Sequence, residues 1–209
     1  MFKIHSKIKQ IFVGLNPDFD FLKKFFVLSF LLNGNLTFAQ IPNPSNLVGS
    51  YQFSGNANDS SGSGNNGITF GSPSLTSDRF NNTNSAYSFD GNDYFYFGNS
   101  MSNQINNIFS ISLWLNQTSS SQTDLIGLGS QYCNSSSGPI IRAGQTMNFN
   151  RCNAGFDTTD NTSNDGNWHQ FVFVYDGSSR KIYRDGTLLN NLNGGGIFSV
   201  NTYGLVLGK

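Results

Sequence analysis

Glutamate is absent from the chain: all twelve acidic side chains are Asp. Glu is among the better helix formers, and Met and Lys are scarce too, so helices are poorly supplied. Charge of either sign is thin. Charged residues make up 11% of the 209 and the formal net charge is zero, which removes an electrostatic case for nucleic acid as partner. Only two cysteines occur, Cys133 and Cys152, with no Cys-x-x-Cys and no Cys/His cluster, so a zinc site has no support. No apolar run reaches the roughly 20 residues that a membrane helix needs.

Aromatic and turn-forming residues are plentiful. With 20 Phe and 23 Gly beside many Asn and Ser, the composition suits short strands joined by tight turns, an all-β chain of one domain. Leu47 to Phe53 reads as the first strand, followed by a Gly/Asn/Ser/Asp surface loop, Ser54 to Gly67. Ser85 to Phe89 and Tyr94 to Phe97 read as a hairpin across Asp90-Gly91-Asn92-Asp93. Phe109 to Leu115 alternates with period two, so Phe109, Ile111, Leu113 and Leu115 share a face and Trp114 lies on the other. A large aromatic on that second face predicts another buried layer, as in a sandwich of two sheets. Asp124 to Leu128, Pro139 to Ala143, Gln145 to Asn150, His169 to Tyr175, Lys181 to Arg184 and Leu205 to Leu207 complete the set. Asp185-Gly186 suits a two-residue hairpin turn. About ten strands with a turn signal every 8–15 residues predict an antiparallel two-sheet sandwich or jelly roll.

Residues 1–39 read separately, as an extension and a secretory signal. Lys23 and Lys24 precede the apolar run Phe25 to Leu32, and Thr37-Phe38-Ala39 places small residues where cleavage after Ala39 would need them. Residues 1–21 precede the charged end at which such signals begin, and are expected to lie upstream of the true start. Residues 40–46 form a Pro-punctuated leader and 47–209 the domain. The reading predicts a secreted or cell-surface protein with no membrane span after cleavage. In an exported chain Cys133 and Cys152 are expected to form a disulfide, two buried thiols being the alternative.

Four blocks in order carry a family likeness. Phe53 to Gly67, then Ala86-Tyr87-Ser88-Phe89-Asp90-Gly91, then Phe109 to Leu115, then Asp165-Gly166-Asn167-Trp168-His169 with Tyr175-Asp176-Gly177 and Arg184-Asp185-Gly186, resemble bacterial laminin-G-like domains of the concanavalin A-like lectin/glucanase jelly-roll group. The resemblance spans about residues 47–208. Such domains usually close with a Gly-x-Ile-Asp-Asp-like strand, and this chain stops at Lys209, so the resemblance implies that the last strand or strands are missing.

The likeness admits glycan cleavage, which normally uses two carboxylates. Glucanases of this fold carry a Glu-x-Asp-x-x-Glu strand, and a chain without Glu cannot. Asp90/Asp93 and Asp157/Asp160 remain, in turns where Asp commonly bonds the backbone. His169 is expected to be structural, and the chain is expected not to be an enzyme. Asp59, with Asn56 and Asn65 in a Gly-rich loop, offers oxygens for one structural calcium ion; an Asx-turn in which Asp59 caps its own backbone is the alternative. Tyr94 and Tyr96 share a strand face opposite Phe95 and Phe97 and could line a glycan groove, as could Tyr132. Trp114 and Trp168 are expected in the core rather than as stacking platforms. The expected function is a binding or adhesion module for extracellular polysaccharide or glycan. A domain adhering to a surface protein, and an accessory domain of a larger glycoside hydrolase, are the alternatives.

Overall fold

The computed structural model describes residues 6–14, 46–105, 108–128, 139–151, 164–193 and 204–208. In chain order the elements are β1 (Ser6–Gly14), β2 (Leu47–Tyr51), β3 (Ile68–Phe70), β4 (Ser74–Thr76), β5 (Ala86–Phe89), β6 (Tyr94–Tyr96) and the short helix α1 (Gly98–Gln104). There follow β7 (Phe109–Gln117), β8 (Thr123–Leu128), β9 (Pro139–Ala143), β10 (Asn148–Arg151), β11 (Trp168–Tyr175), β12 (Ser179–Arg184), β13 (Thr187–Asn193) and β14 (Leu205–Leu207). They form two antiparallel sheets. The larger, of eight strands, runs β13-β12-β11-β7-β1-β5-β4 with β2 beside β1, and the smaller, of six, runs β10-β9-β8-β14-β6-β3.

The alternation in β7 decides which face meets the second sheet. Phe109, Ile111, Leu113 and Leu115 are buried, and β11 sets Phe171, Phe173 and Tyr175 beside them. From the smaller sheet come Phe95, Ile126, Ile141, Phe149, Leu205 and Leu207, also buried. Aromatic rings join the layers: Phe149 of β10 meets Phe109 at 6.1 Å and Phe173 at 5.7 Å, each edge to face. Each such ring contributes about 1.5–3 kcal/mol by burial, and each aromatic pair about 0.5–1.5 kcal/mol more.

The hairpin expected across Asp90 to Asp93 is not formed. β5 pairs in the larger sheet and β6 in the smaller, so this turn carries the chain from one layer to the other. Phe89 and Phe95 therefore face each other across the core, 5.4 Å apart and nearly perpendicular. The Asp185-Gly186 turn is as expected. Both residues have positive φ, 49° and 80°, the condition for a type I′ hairpin, here between β12 and β13.

β1 enters the larger sheet from ahead of residue 47, where the domain was expected to begin. It pairs with β7 along one side, and with β5 and then β2 along the other. Cleavage after Ala39 would separate this strand from the domain. Among the described residues, no helix is long and apolar enough to cross a membrane.

Candidate ligand-binding face

The two sheets present different outer faces. On the larger, Trp114 is half-buried rather than part of the core, and so is Trp168 at the start of β11. The layer that buries β7 packs on its Phe109–Leu115 face, which leaves Trp114 outside. Its ring is covered in another way: the Arg79 guanidinium lies 4.3 Å from the Trp114 ring centre and 4.3 Å from that of Phe80. Such contacts are worth about 0.5–2 kcal/mol, and they deny that face of Trp114 to a ligand. Burial pushes the Arg79 guanidinium downward, against the charge of Asp78 beside it.

On the smaller sheet the outer face exposes Ile68 and Phe70 and leaves Tyr94 and Tyr96 half-buried beside them. Phe95 and Phe97 point into the core, so the period-two pleat turns Tyr94 and Tyr96 outward. The neighbouring edge strand β3 sets Phe70 opposite Tyr94 and Ile68 opposite Tyr96. The Phe70 and Tyr94 rings stack at 4.8 Å with planes 8° apart, and Tyr96 meets Phe70 edge to face at 6.3 Å. Phe70 remains 42% exposed and Ile68 57%. The Tyr96 hydroxyl donates to Asn99 Oδ1 at 2.7 Å, which fixes the ring's outer end. Phe70 is a functional candidate that the sequence pattern did not reveal. Three-residue strands such as β3 carry too little alternation to stand out.

The Asn-rich loop 54–67 is built around Asp59. Oδ1 accepts the N–H of Ser50 at 3.0 Å and of Ser61 at 2.8 Å; Oδ2 accepts Ser61 Oγ–H at 2.8 Å and the N–H of Asn65 at 3.0 Å. Burial works against the charged carboxylate, but these donors outweigh it and hold Asp59 below its usual range. Asn56 Oδ1 accepts the Asn58 N–H at 2.9 Å. Asn65 turns its amide inward, Nδ2 donating to Val48 O at 2.8 Å and Oδ1 accepting from Ser100 Oγ at 2.8 Å. The Tyr51 hydroxyl donates to Asn65 O, and burial with the nearby Asp59 charge raises its pKa well above the usual value. Asp59, Asn56 and Asn65 thus share a loop without converging on one point, and N–H and O–H groups aim at both Asp59 oxygens. As arranged, this donor set does not fit a calcium ion, which needs six to eight oxygens directed at one centre.

The other carboxylates also serve turns. Asp93 Oδ1 accepts the N–H of Asp90 at 2.9 Å, and Asp90 Oδ1 accepts that of Asn92 at 3.2 Å. Burial, with the Asp90 charge beside it, raises the Asp93 pKa. Asp176 accepts from Ser178, Ser179 and Lys181 Nζ; burial opposes its charge, but these bonds hold it far below the usual carboxylate range. His169 sits between two carboxylates, Nδ1 at 2.6 Å from Asp185 Oδ2 and Nε2 at 3.1 Å from Asp165 Oδ2. It ties the loop before β11 to the β12–β13 turn, the structural place expected for it. Tyr132, Cys133, Cys152, Asp157 and Asp160 lie outside the described residues.

Comparison with known proteins agrees with this fold. Domain 4 of AbnA, a GH43 extracellular arabinanase from Geobacillus stearothermophilus, solved in complex with arabinotriose, superposes with a TM-score of 0.54 at 14% identity, over 73% of this chain and 78% of that one. That likeness is one of fold. The receptor binding domain of botulinum neurotoxin mosaic serotype C/D matches 71% of this chain and 39% of that one at 13% identity, with a TM-score of only 0.35. No curated protein sequence matches the chain. The family model described as the concanavalin A-like lectin/glucanases superfamily matches residues 89–209. With that match over more than half its length, and with the two antiparallel sheets of a jelly-roll sandwich, the chain belongs to the concanavalin A-like lectin/glucanase superfamily.

Proposed function

We propose that this domain is a non-catalytic module that binds extracellular carbohydrate on the outer face of its smaller sheet. The observation that carries the reading is the outward-facing aromatic cluster of Phe70, Tyr94 and Tyr96. Sugar rings present apolar C–H faces that pack on aromatic rings, and hydroxyls that bond to nearby polar side chains. The cluster offers both kinds of contact, with Asn99 and the Tyr96 hydroxyl at its margin. The likeness to an arabinanase domain solved with arabinotriose supports the same ligand class. It also supports work beside a catalytic domain, since that neighbour is one domain of a larger enzyme.

The non-catalytic reading is supported by the lack of Glu and by the use of Asp90 and Asp93 within their own turn. Export is supported by the Lys23-Lys24 and Phe25 to Leu32 pattern ending at Ala39.

The test is depletion of the purified full chain from solution by insoluble polysaccharides, among them arabinan, xylan, cellulose and chitin. Wild type should be depleted by at least one polymer. The Phe70→Ala/Tyr94→Ala variant, with its thermal transition retained, should lose at least tenfold in affinity. No depletion of folded wild type by any polymer would overturn the reading in favour of protein adhesion.

A further inference from the structure

A row of residues crosses the same outer face at right angles to the strands. Ile68 stands opposite Tyr96, Tyr96 opposite Val206, and Val206 opposite Gly127. Val206 points outward, because Leu205 and Leu207 on either side of it are buried in the core. Register therefore puts Gly127 on the outward side as well. A Cβ added at Gly127 would meet nothing within 4 Å, and its backbone is not in the left-handed region that favours glycine. Neither neighbouring atoms nor backbone conformation calls for glycine there. Glycine inside a strand weakens it, by roughly 0.5–1 kcal/mol relative to Ala, and often marks a bulge, a tight bend or a place where a ligand or another backbone comes close. The register shift in β8 lies between Asp124 and Ile126, not at Gly127.

The β9 residue opposite Gly127 is Ile140. Arg142 of β9 stands opposite Asp124 of β8, three residues back along the strand and to one side of the row, with Nε 2.5 Å from Oδ1. The pair neutralises itself. The outward positions of the row, Ile68, Tyr96, Val206 and Gly127, carry no charge. From β3 to β8 the face spans three strand spacings, roughly 14 Å, which is the reach of several linked sugars rather than one.

We propose that Gly127 is the floor of a groove running along the row from Ile68 and Tyr96 across Val206, flanked on one side by the Phe70–Tyr94 stack and the Asp124–Arg142 pair, and that this groove takes an extended, uncharged polysaccharide segment of several sugar units. The inference rests on the carbohydrate-binding reading and adds the ligand's charge class, its length and a specificity-determining residue. Gly127→Leu and Gly127→Trp extend into the groove from a position where an added Cβ meets nothing within 4 Å.

The experiment measures the affinity of the full chain for the polymer that depletes wild type best, comparing Gly127→Leu, Gly127→Trp and Phe70→Ala/Tyr94→Ala. Both Gly127 variants should keep the thermal transition, and Gly127→Trp should bind at least tenfold more weakly. A linear trisaccharide should compete better than its monosaccharide, and 0.5 M NaCl should leave binding unchanged. Gly127 variants that bind like wild type, while Phe70→Ala/Tyr94→Ala does not, would overturn the groove and leave the carbohydrate reading standing. Strong weakening by salt would overturn the uncharged ligand class. If Phe70→Ala/Tyr94→Ala also binds like wild type, both inference and reading fail.

Discussion

The carboxylate of Asp59 reaches nine residues back to accept the backbone N–H of Ser50 at 3.0 Å, fastening an Asn-rich surface loop to the inner part of β2. Asp59 and Tyr51 also form a β-bridge, so the loop is held by its backbone as well. Three further donors complete the carboxylate, and removal of such a group leaves partly buried donors without an acceptor.

Asp59→Ala should therefore lower stability by about 1–3 kcal/mol, and Asp59→Asn by less, since one oxygen survives. Because the hydrogen bonds hold the Asp59 pKa below its usual value, its contribution is present above the unfolded carboxylate pKa and is lost as pH falls through the folded one. Urea unfolding of wild type and Asp59→Ala from neutral pH into acid measures this. Their difference should shrink toward low pH, and a chelator should not change it.

His169 has the opposite sign. Desolvation lowers its pKa, but hydrogen bonds and charges from Asp185 and Asp165 win, and the net shift is upward from 6.5. The stabilisation it provides is fully present below 6.5 and is lost as pH rises through the folded value. Wild type should lose stability between mildly acidic pH and pH above the folded value. His169→Gln, which cannot take up the proton, should lose less over the same range. Equal slopes for the two proteins would show that His169 does not titrate differently on folding.

β1 gives a third test. Ile8 pairs with Leu115 on one side and Tyr87 on the other, in the interior of the larger sheet. Proline there removes a ladder hydrogen bond that a central strand cannot spare. Ile8→Pro should lower the thermal transition of the full chain by several degrees, corresponding to about 3 kcal/mol. An unchanged transition would show that residues 6–14 are not part of the folded sandwich.

Much of the sandwich was legible because its central strands alternate strongly. Phe109 to Leu115 and His169 to Tyr175 place bulky apolar residues at every second position, and Tyr94 to Phe97 separated the two faces without saying which of them meets solvent. Asp185-Gly186 was legible because its turn chemistry is local. Sheet membership was not. The Asp90 to Asp93 turn looks the same in sequence whether it joins neighbours or crosses between layers. Trp114 was misplaced because its cover is a cation, Arg79, from a segment with no pattern of its own. α1, made largely of Gly, Asn, Ser and Gln, has poor helix propensity and no side-chain cap, and packs against β14 and β2 instead. In the candidate site, Tyr94 and Tyr96 were legible, while Phe70 and Gly127 became visible only through strand register.

The most direct test is a map of backbone amide shifts as the full chain is titrated with a soluble fragment of the polymer that depletes it. The account expects shifts at Ile68–Phe70, Tyr94–Tyr96, Val206 and Gly127, with Trp114, Arg79 and the loop 54–67 unmoved. Shifts confined to the Trp114 face or to the Asp59 loop would contradict it.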